Sequence, residues 1–166
     1  MKYKLILMGF LSAILGLVSC KKENQENENS NSSVIQVANQ ITINQLPEEL
    51  QKLKDGITEF NFIGITSNGV DCIYFVKDGD NFQIEFEAMA QEQIPFIEKL
   101  KQFANSSGYK FKMTTYGNKP QYTTEKNAPV IRIEINSNLT TSAEIGKTIE
   151  NIIFKNTENT KYDVVP

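Results

Sequence analysis

The chain has no histidine. That absence removes the commonest general base, the usual transition-metal ligand and any Ser-His-Asp arrangement together. Cysteine is scarce, with only Cys20 and Cys72 present. If Cys20 is consumed at the N-terminus, as argued below, Cys72 cannot form an internal disulfide, and stability must come from packing. No run of Lys or Arg occurs, and 17 basic against 20 acidic side chains give a net charge of −3. This balance argues against nucleic acid as a partner. Glycine-rich phosphate loops of the GxGxxG or GxxxxGK[ST] kind are missing, so nucleotide binding has no support. No apolar run reaches the ~20 residues needed to span the ~30 Å core of a bilayer.

What is present begins at the N-terminus. Lys2 and Lys4 precede an apolar run from Leu5 to Val18, and Leu17-Val18-Ser19-Cys20 closes it. A short basic region, a run too short to span and small residues at its end read as a removable export signal. The last four residues resemble the lipobox of bacterial lipoproteins. That resemblance implies that Cys20 is lipidated through a thioether and becomes the first mature residue. Each buried methylene adds about 0.8 kcal/mol, so several acyl chains anchor far more firmly than one. The bland reading is an ordinary secretory signal with Cys20 merely the first mature cysteine. Position two is Lys21, where inner-membrane retention often uses Asp, and Lys21-Lys22-Glu23 resembles the surface-export signals of Bacteroidota lipoproteins. The expected address is therefore the cell envelope, at the outer membrane, on its periplasmic side or the cell surface. Loss of residues 1–19 takes Lys2 and Lys4 away and leaves 15 basic against 20 acidic side chains, a net −5.

Lys21 to Ser33 reads KKENQENENSNSS, without an aliphatic or aromatic side chain. Such a segment buries too little apolar surface to offset its ordering entropy, so residues 20–33 are expected to be a lipidated, disordered tether. Treated as a coil it reaches roughly 20–25 Å. Residues 34–166 are expected to form a single α+β domain. Val34 to Ile43 alternates loosely, as an edge strand would. Pro47 to Gly56 reads as a short amphipathic helix, with Pro in the first turn, acids after it, Lys late and Gly56 to stop. Leu46, Leu50 and Leu53 share one face of it.

Ile57–Thr66, Val70–Lys77 and Asp80–Glu87 are rich in aromatic and β-branched residues, separated by Asn68-Gly69 and Asp78-Gly79. Both dipeptides favour tight hairpins, which predicts a three-stranded meander. With Asn68-Gly69 as a two-residue loop, Phe62 faces Phe75. Phe60, Phe62, Ile73, Phe75, Phe82, Ile84 and Phe86 then share the core side. A second turn at Gly79-Asp80 would move the pairing by two and keep these faces. Ile63, Ile65, Cys72, Tyr74 and Val76 fall on the opposite side, with Gln83 and Glu85 expected in solvent. That apolar stripe is covered either from within, by Val34–Ile43 or the tail around Tyr162, Val164 and Val165, or by a partner.

Pro95 to Asn105 carries Phe96, Ile97, Leu100, Phe103 and Ala104 at helical spacing, with Gly108 as a stop. The helix starts either at Pro95 or near Ala88 with a kink. Tyr109–Met113 and Ile131–Ile135 alternate as two further strands around a long loop, Gly117–Pro129. Thr141-Ser142-Ala143-Glu144 has the form of a capping box before a last helix lined by Ile145, Ile149, Ile152 and Ile153. The fold class is thus α+β: an antiparallel sheet, a three-stranded meander plus a β-hairpin, packed on one face by helices in the order α-β-β-β-α-β-β-α. From Leu46 to Lys155 this order resembles the type III secretion chaperone-like fold. The resemblance implies binding of protein segments or service as a small adaptor.

Chemistry-bearing groups are few. Cys72 lies beside Ile73 and reads as packing rather than as a nucleophile. Asp78-Gly79-Asp80-Asn81 lacks the spacing of an EF-hand, and a hairpin turn accounts for it. Glu85 and Glu87 project to one side of a strand; paired carboxylates do acid–base work in a cleft but usually form a solvated face. Tyr122, in a long loop flanked by polar residues, suits recognition of a peptide or sugar, against the plainer reading of an exposed loop. No catalytic, metal or cofactor residues are assigned. The expected function is a lipid-anchored, non-enzymatic module that binds another protein: an adaptor, a chaperone-like factor or an immunity protein. Ile63, Ile65, Tyr74, Val76 and Tyr122 are its candidate contacts. The alternative is a carboxylate-dependent envelope hydrolase or lyase acting on glycans.

Overall fold

Among the described residues, seven antiparallel strands form one sheet. The computed structural model describes residues 39–166. The expected signal peptide, Cys20, the expected tether and residues 34–38 of the expected first strand lie outside them. Along the chain run β1 (Gln40–Thr42), a 3-10 turn (Ile43–Gln45), α1 (Leu46–Lys54), β2 (Phe62–Thr66), β3 (Ile73–Asp78) and β4 (Asn81–Glu87). A second 3-10 turn (Gln91–Gln93) leads into α2 (Ile94–Ser106), β5 (Lys110–Thr114), β6 (Val130–Ser137), α3 (Leu139–Ile152) and β7 (Lys161–Val165), and the strands lie in the order β1-β7-β2-β3-β4-β6-β5. Among the described residues, no helix is long and apolar enough to cross a membrane.

All three helices pack on one face of the sheet. Leu46, Leu50 and Leu53 of α1, Leu100 of α2 and Ile149 of α3 meet Phe75, Phe82, Ile84, Phe86, Ile131 and Ile133, each essentially without exposure. Helix α3 comes very close: a Cβ added at Gly146 would lie 2.5 Å from Phe75 Cζ. Only hydrogen at that position leaves room for the ring. Helix α2 begins at Ile94, and Pro95 occupies the first turn, where its missing N–H costs nothing.

The β2 register differs from the expectation by one residue. Ile63 pairs with Phe75 and Ile65 with Ile73, while Phe62 pairs with Val76. Ile63 and Ile65 are therefore core residues, 4% and 0% exposed. Phe62 turns to the opposite face, and Phe60, in the segment before β2, is exposed. The cause is Asp71. Its Oδ1 accepts from Thr66 Oγ1 at 2.7 Å and Ser67 N at 2.8 Å, and its Oδ2 accepts from Ser67 Oγ and from Asn156 Nδ2. These bonds draw Ser67–Cys72 into a wide loop instead of a two-residue hairpin, and an odd change in register swaps every face of the strand. The next turn is the Gly79-Asp80 form, with Asp78 opposite Asn81, so β3 and β4 keep their expected sides.

The described parts of the two segments expected as cover do not lie over the sheet. Residues 40–42 and 161–165 instead extend it in plane, β7 inserting between β1 and β2, with Tyr162 fully buried. The last helix starts three residues earlier than the expected box: Asn138 is the N-cap, its side chain accepting from Thr141 N at 3.1 Å.

Candidate functional site

The face away from the helices is formed by Phe62 and Gly64 of β2, Tyr74 and Val76 of β3, Glu85 and Glu87 of β4, Val130 and Arg132 of β6, and Val165 of β7. Gly64 shapes it. A Cβ there would lie 2.8 Å from Tyr74 Cε1 and 2.7 Å from Val165 Cγ2, so the Tyr74 ring lies over the glycine in space that a side chain would occupy. Phe62 meets Tyr74 edge to face at 5.9 Å, and Phe60 stacks on Phe62 at 5.4 Å. Aromatic side chains thus run in a row from the segment before β2 onto the sheet.

The Thr115–Pro129 loop folds back across the other half of this face. Main-chain bonds fasten it: Gln121 N donates to Met89 O at 2.8 Å, Ala128 N to Asn118 O at 2.7 Å and Ala88 N to Pro129 O at 3.0 Å. Tyr116 Oη donates to Glu85 Oε2, and Arg132 bonds both Glu85 Oε1 through Nε and Tyr116 Oη through a terminal nitrogen at 2.8 Å. Asn118 Nδ2 bonds both oxygens of Glu87 at 3.0 and 3.1 Å. Burial, and then the bond to Glu85, raise the Tyr116 phenol above its ordinary pKa. Glu85 is consequently 5% exposed, where solvent was expected. Gln83 is also buried, its amide held by Asp78 and Asn136.

Between the aromatic row and the loop lies a cleft of about 550 Å³, within the size range of small-ligand sites. Its walls include Phe62, Tyr74, Val76, Tyr116, Arg132 and Pro166. Of the residues singled out from sequence, Tyr74, Val76, Glu85 and Glu87 line it. Ile63 and Ile65 lie beneath the sheet, and Tyr122 is half-buried in the loop outside the cleft. Tyr116 and Asn118 are the loop residues that reach the site. Arg132, the chain's only arginine, was the legible signal: it stands directly opposite Glu85 in the ladder, where a planar guanidinium suits a carboxylate better than lysine does. Cys72 is half-buried, and burial pushes its thiol up to about 11. Among the described residues, no group of three or more Cys, Asp or Glu side chains is placed to hold a metal ion.

No protein family, curated protein or solved structure matches the chain.

Proposed function

We propose that the protein is a lipid-anchored lipoprotein of a bacterial outer membrane, whose domain is a non-enzymatic module that binds another protein on the open face of its sheet. The cleft is the observation that carries this reading. Its wall combines half-buried aromatic side chains with polar groups held in place by one another, an arrangement that recognises without needing to react. A carboxylate-dependent hydrolase or lyase needs carboxyl groups free to meet its substrate. Glu85 uses one oxygen on Arg132 and the other on Tyr116, and both oxygens of Glu87 take the Asn118 amide. That commitment favours binding.

Site-specific photocrosslinking in native membranes tests it. A photoreactive residue replacing Val76 in the cleft should give a discrete protein adduct that excess soluble domain competes away. The same residue replacing Lys101, on α2, should give none. Equal labelling from both positions, or no adduct from Val76, would remove the proposal.

A further inference from the structure

A second cavity, of about 320 Å³, lies between α3, the loop that follows it and Ile43, and it shares no wall residue with the cleft. Glu150 and Tyr162 line it, 1% and 0% exposed. Each lies near enough to act on the other's ionisation. Yet among the described residues neither Glu150 Oε1 nor Tyr162 Oη has a hydrogen-bond partner. Buried oxygens without a partner are costly, and two that converge on one cavity point to a ligand.

The walls say what that ligand carries. Asn156, also in the wall, spends its amide hydrogens on Glu150 Oε2 and Asp71 Oδ2, so its Oδ1 is a third acceptor. The ligand must therefore donate. It must also bring positive charge, because Glu150 and Asp71 are both buried and, among the described residues, neither forms an ion pair with a lysine or arginine. Lys147, in the same wall, is committed to Glu158 and Asn44. Water could meet the hydrogen bonds but would leave the carboxylates uncompensated. A metal ion suits the set poorly, since the Asn156 amide hydrogens stand between the two carboxylates where an ion would bridge them. A primary ammonium places three N–H donors on one compact charge, whereas a guanidinium is a broad planar fork and a quaternary amine has no N–H. Ile43 and Ile152 in the wall suit an aliphatic stem.

We infer that this cavity binds a primary alkylammonium group, its N–H groups donating to Glu150 Oε1, Tyr162 Oη and Asn156 Oδ1 and its stem lying against Ile43 and Ile152. The group enters charged, and Glu150 gives its own proton to solvent to form the ion pair. The titratable groups facing Glu150 are Asp71, Tyr162 and Cys72, with Glu144, Lys147 and Glu158 on the exposed wall. Asp71 is held low and Tyr162 and Cys72 high, while burial and the charge on Asp71 push Glu150 up to about 8. Affinity should therefore rise roughly tenfold or more from pH 6.5 to 8.5.

Urea unfolding of the full chain in detergent tests this, with n-butylammonium chloride as the probe and sodium chloride and tetramethylammonium chloride as controls of equal ionic strength. At pH 8.5 the midpoint should rise saturably with n-butylammonium alone, as for any ligand of the folded state. Glu150→Gln, which keeps the shape and buries no charge, should weaken the apparent affinity at least tenfold, and Tyr162→Phe severalfold. Nα-acetyl-lysine-N-methylamide separates two sources of the same group. Binding as tight as that of n-butylammonium assigns the site to a lysine side chain of a polypeptide, and its exclusion assigns the site to a free alkylamine. No rise beyond the controls, an equal rise with tetramethylammonium, or a rise that survives Glu150→Gln overturns the inference. So does a Glu150-dependent rise with calcium chloride in place of the amine. None of these outcomes touches the cleft, whose reading stands or falls with the Val76 crosslink.

Discussion

Glu150 on α3 is 1% exposed and shares one amide with a second buried carboxylate: Asn156 Nδ2 stands 2.8 Å from Glu150 Oε2 and 2.7 Å from Asp71 Oδ2. The two acids are driven in opposite directions. Burial alone would raise Asp71, but bonds from Ser67, Thr66 and Asn156 outweigh it and hold the group below its ordinary value. Glu150 has fewer donors, and burial, with the charge on Asp71, pushes it up to about 8. Among the described residues, its Oε1 and the buried Tyr162 Oη have no hydrogen-bond partner. A carboxyl raised in the fold holds a proton that the unfolded chain has lost. Its contribution is therefore complete below the ordinary value of 4.5 and drains away as pH rises towards 8. Asp71 acts oppositely, its contribution being lost only as acid takes the pH down through its lowered value. Urea unfolding at pH 5 and 8.5 should show the parent losing stability towards the alkaline end, by up to about 1.4 kcal/mol per pH unit. Glu150→Gln should flatten that slope and be the more stable protein at pH 8.5. Equal slopes in the two proteins would mean that Glu150 is ionised in the fold.

The helices were legible because their signals are local. Leu46, Leu50 and Leu53 needed only helical spacing, and Pro95 marks the start of α2 by what proline cannot do. Aromatic and β-branched content beside the Asp78-Gly79 turn also placed β4, and apolar/polar alternation placed β5 and β6. The β2 register was not legible, because Asp71, which sets it, bonds Thr66 and Ser67 across a turn that Asn68-Gly69 alone would make tighter, and is held as well by Asn156, 85 positions away. Asn68-Gly69 does turn the chain, with Gly69 at φ +80°, but inside a wider loop than the dipeptide implies. Likewise Thr141-x-x-Glu144 has the letters of a capping box, yet the chain leaves β6 early enough for Asn138 to cap first. This last point is measurable. Asn138→Ala should cost about 1 kcal/mol of unfolding free energy through the lost bond to Thr141 N, whereas Thr141→Ala, now an exposed position inside the helix, should cost a few tenths at most. A larger loss at Thr141 would restore the capping-box start.

At the scale of the whole molecule, the sheet is joined by its last strand. β7 lies between β1 and β2, so the C-terminal residues tie the start of the described chain to the meander, and Tyr162 puts a full aromatic ring into the core. Such a strand has weak local signals, Lys161-Tyr162-Asp163-Val164-Val165, because its burial is decided by partners more than ninety residues earlier, such as Ile65 opposite Val164. It also bears on the site, since Val165 flanks Gly64 beside the Tyr74 ring and Pro166 closes one side of the cleft. Cys72 reports on this arrangement. Its thiol is pushed up to about 11, chiefly by burial, so the folded protein presents very little thiolate near neutrality and should react with a disulfide reagent only through opening. With Cys20 replaced by serine, Cys72 is the sole thiol in the chain. Removing Lys161–Pro166 takes away the partner of both β1 and β2, and the Cys72 labelling rate at pH 8 should then rise by about a hundredfold or more, each ~1.4 kcal/mol of lost stability opening the site tenfold more often. An unchanged rate would show that β7 is an appendage to a sheet that stands without it.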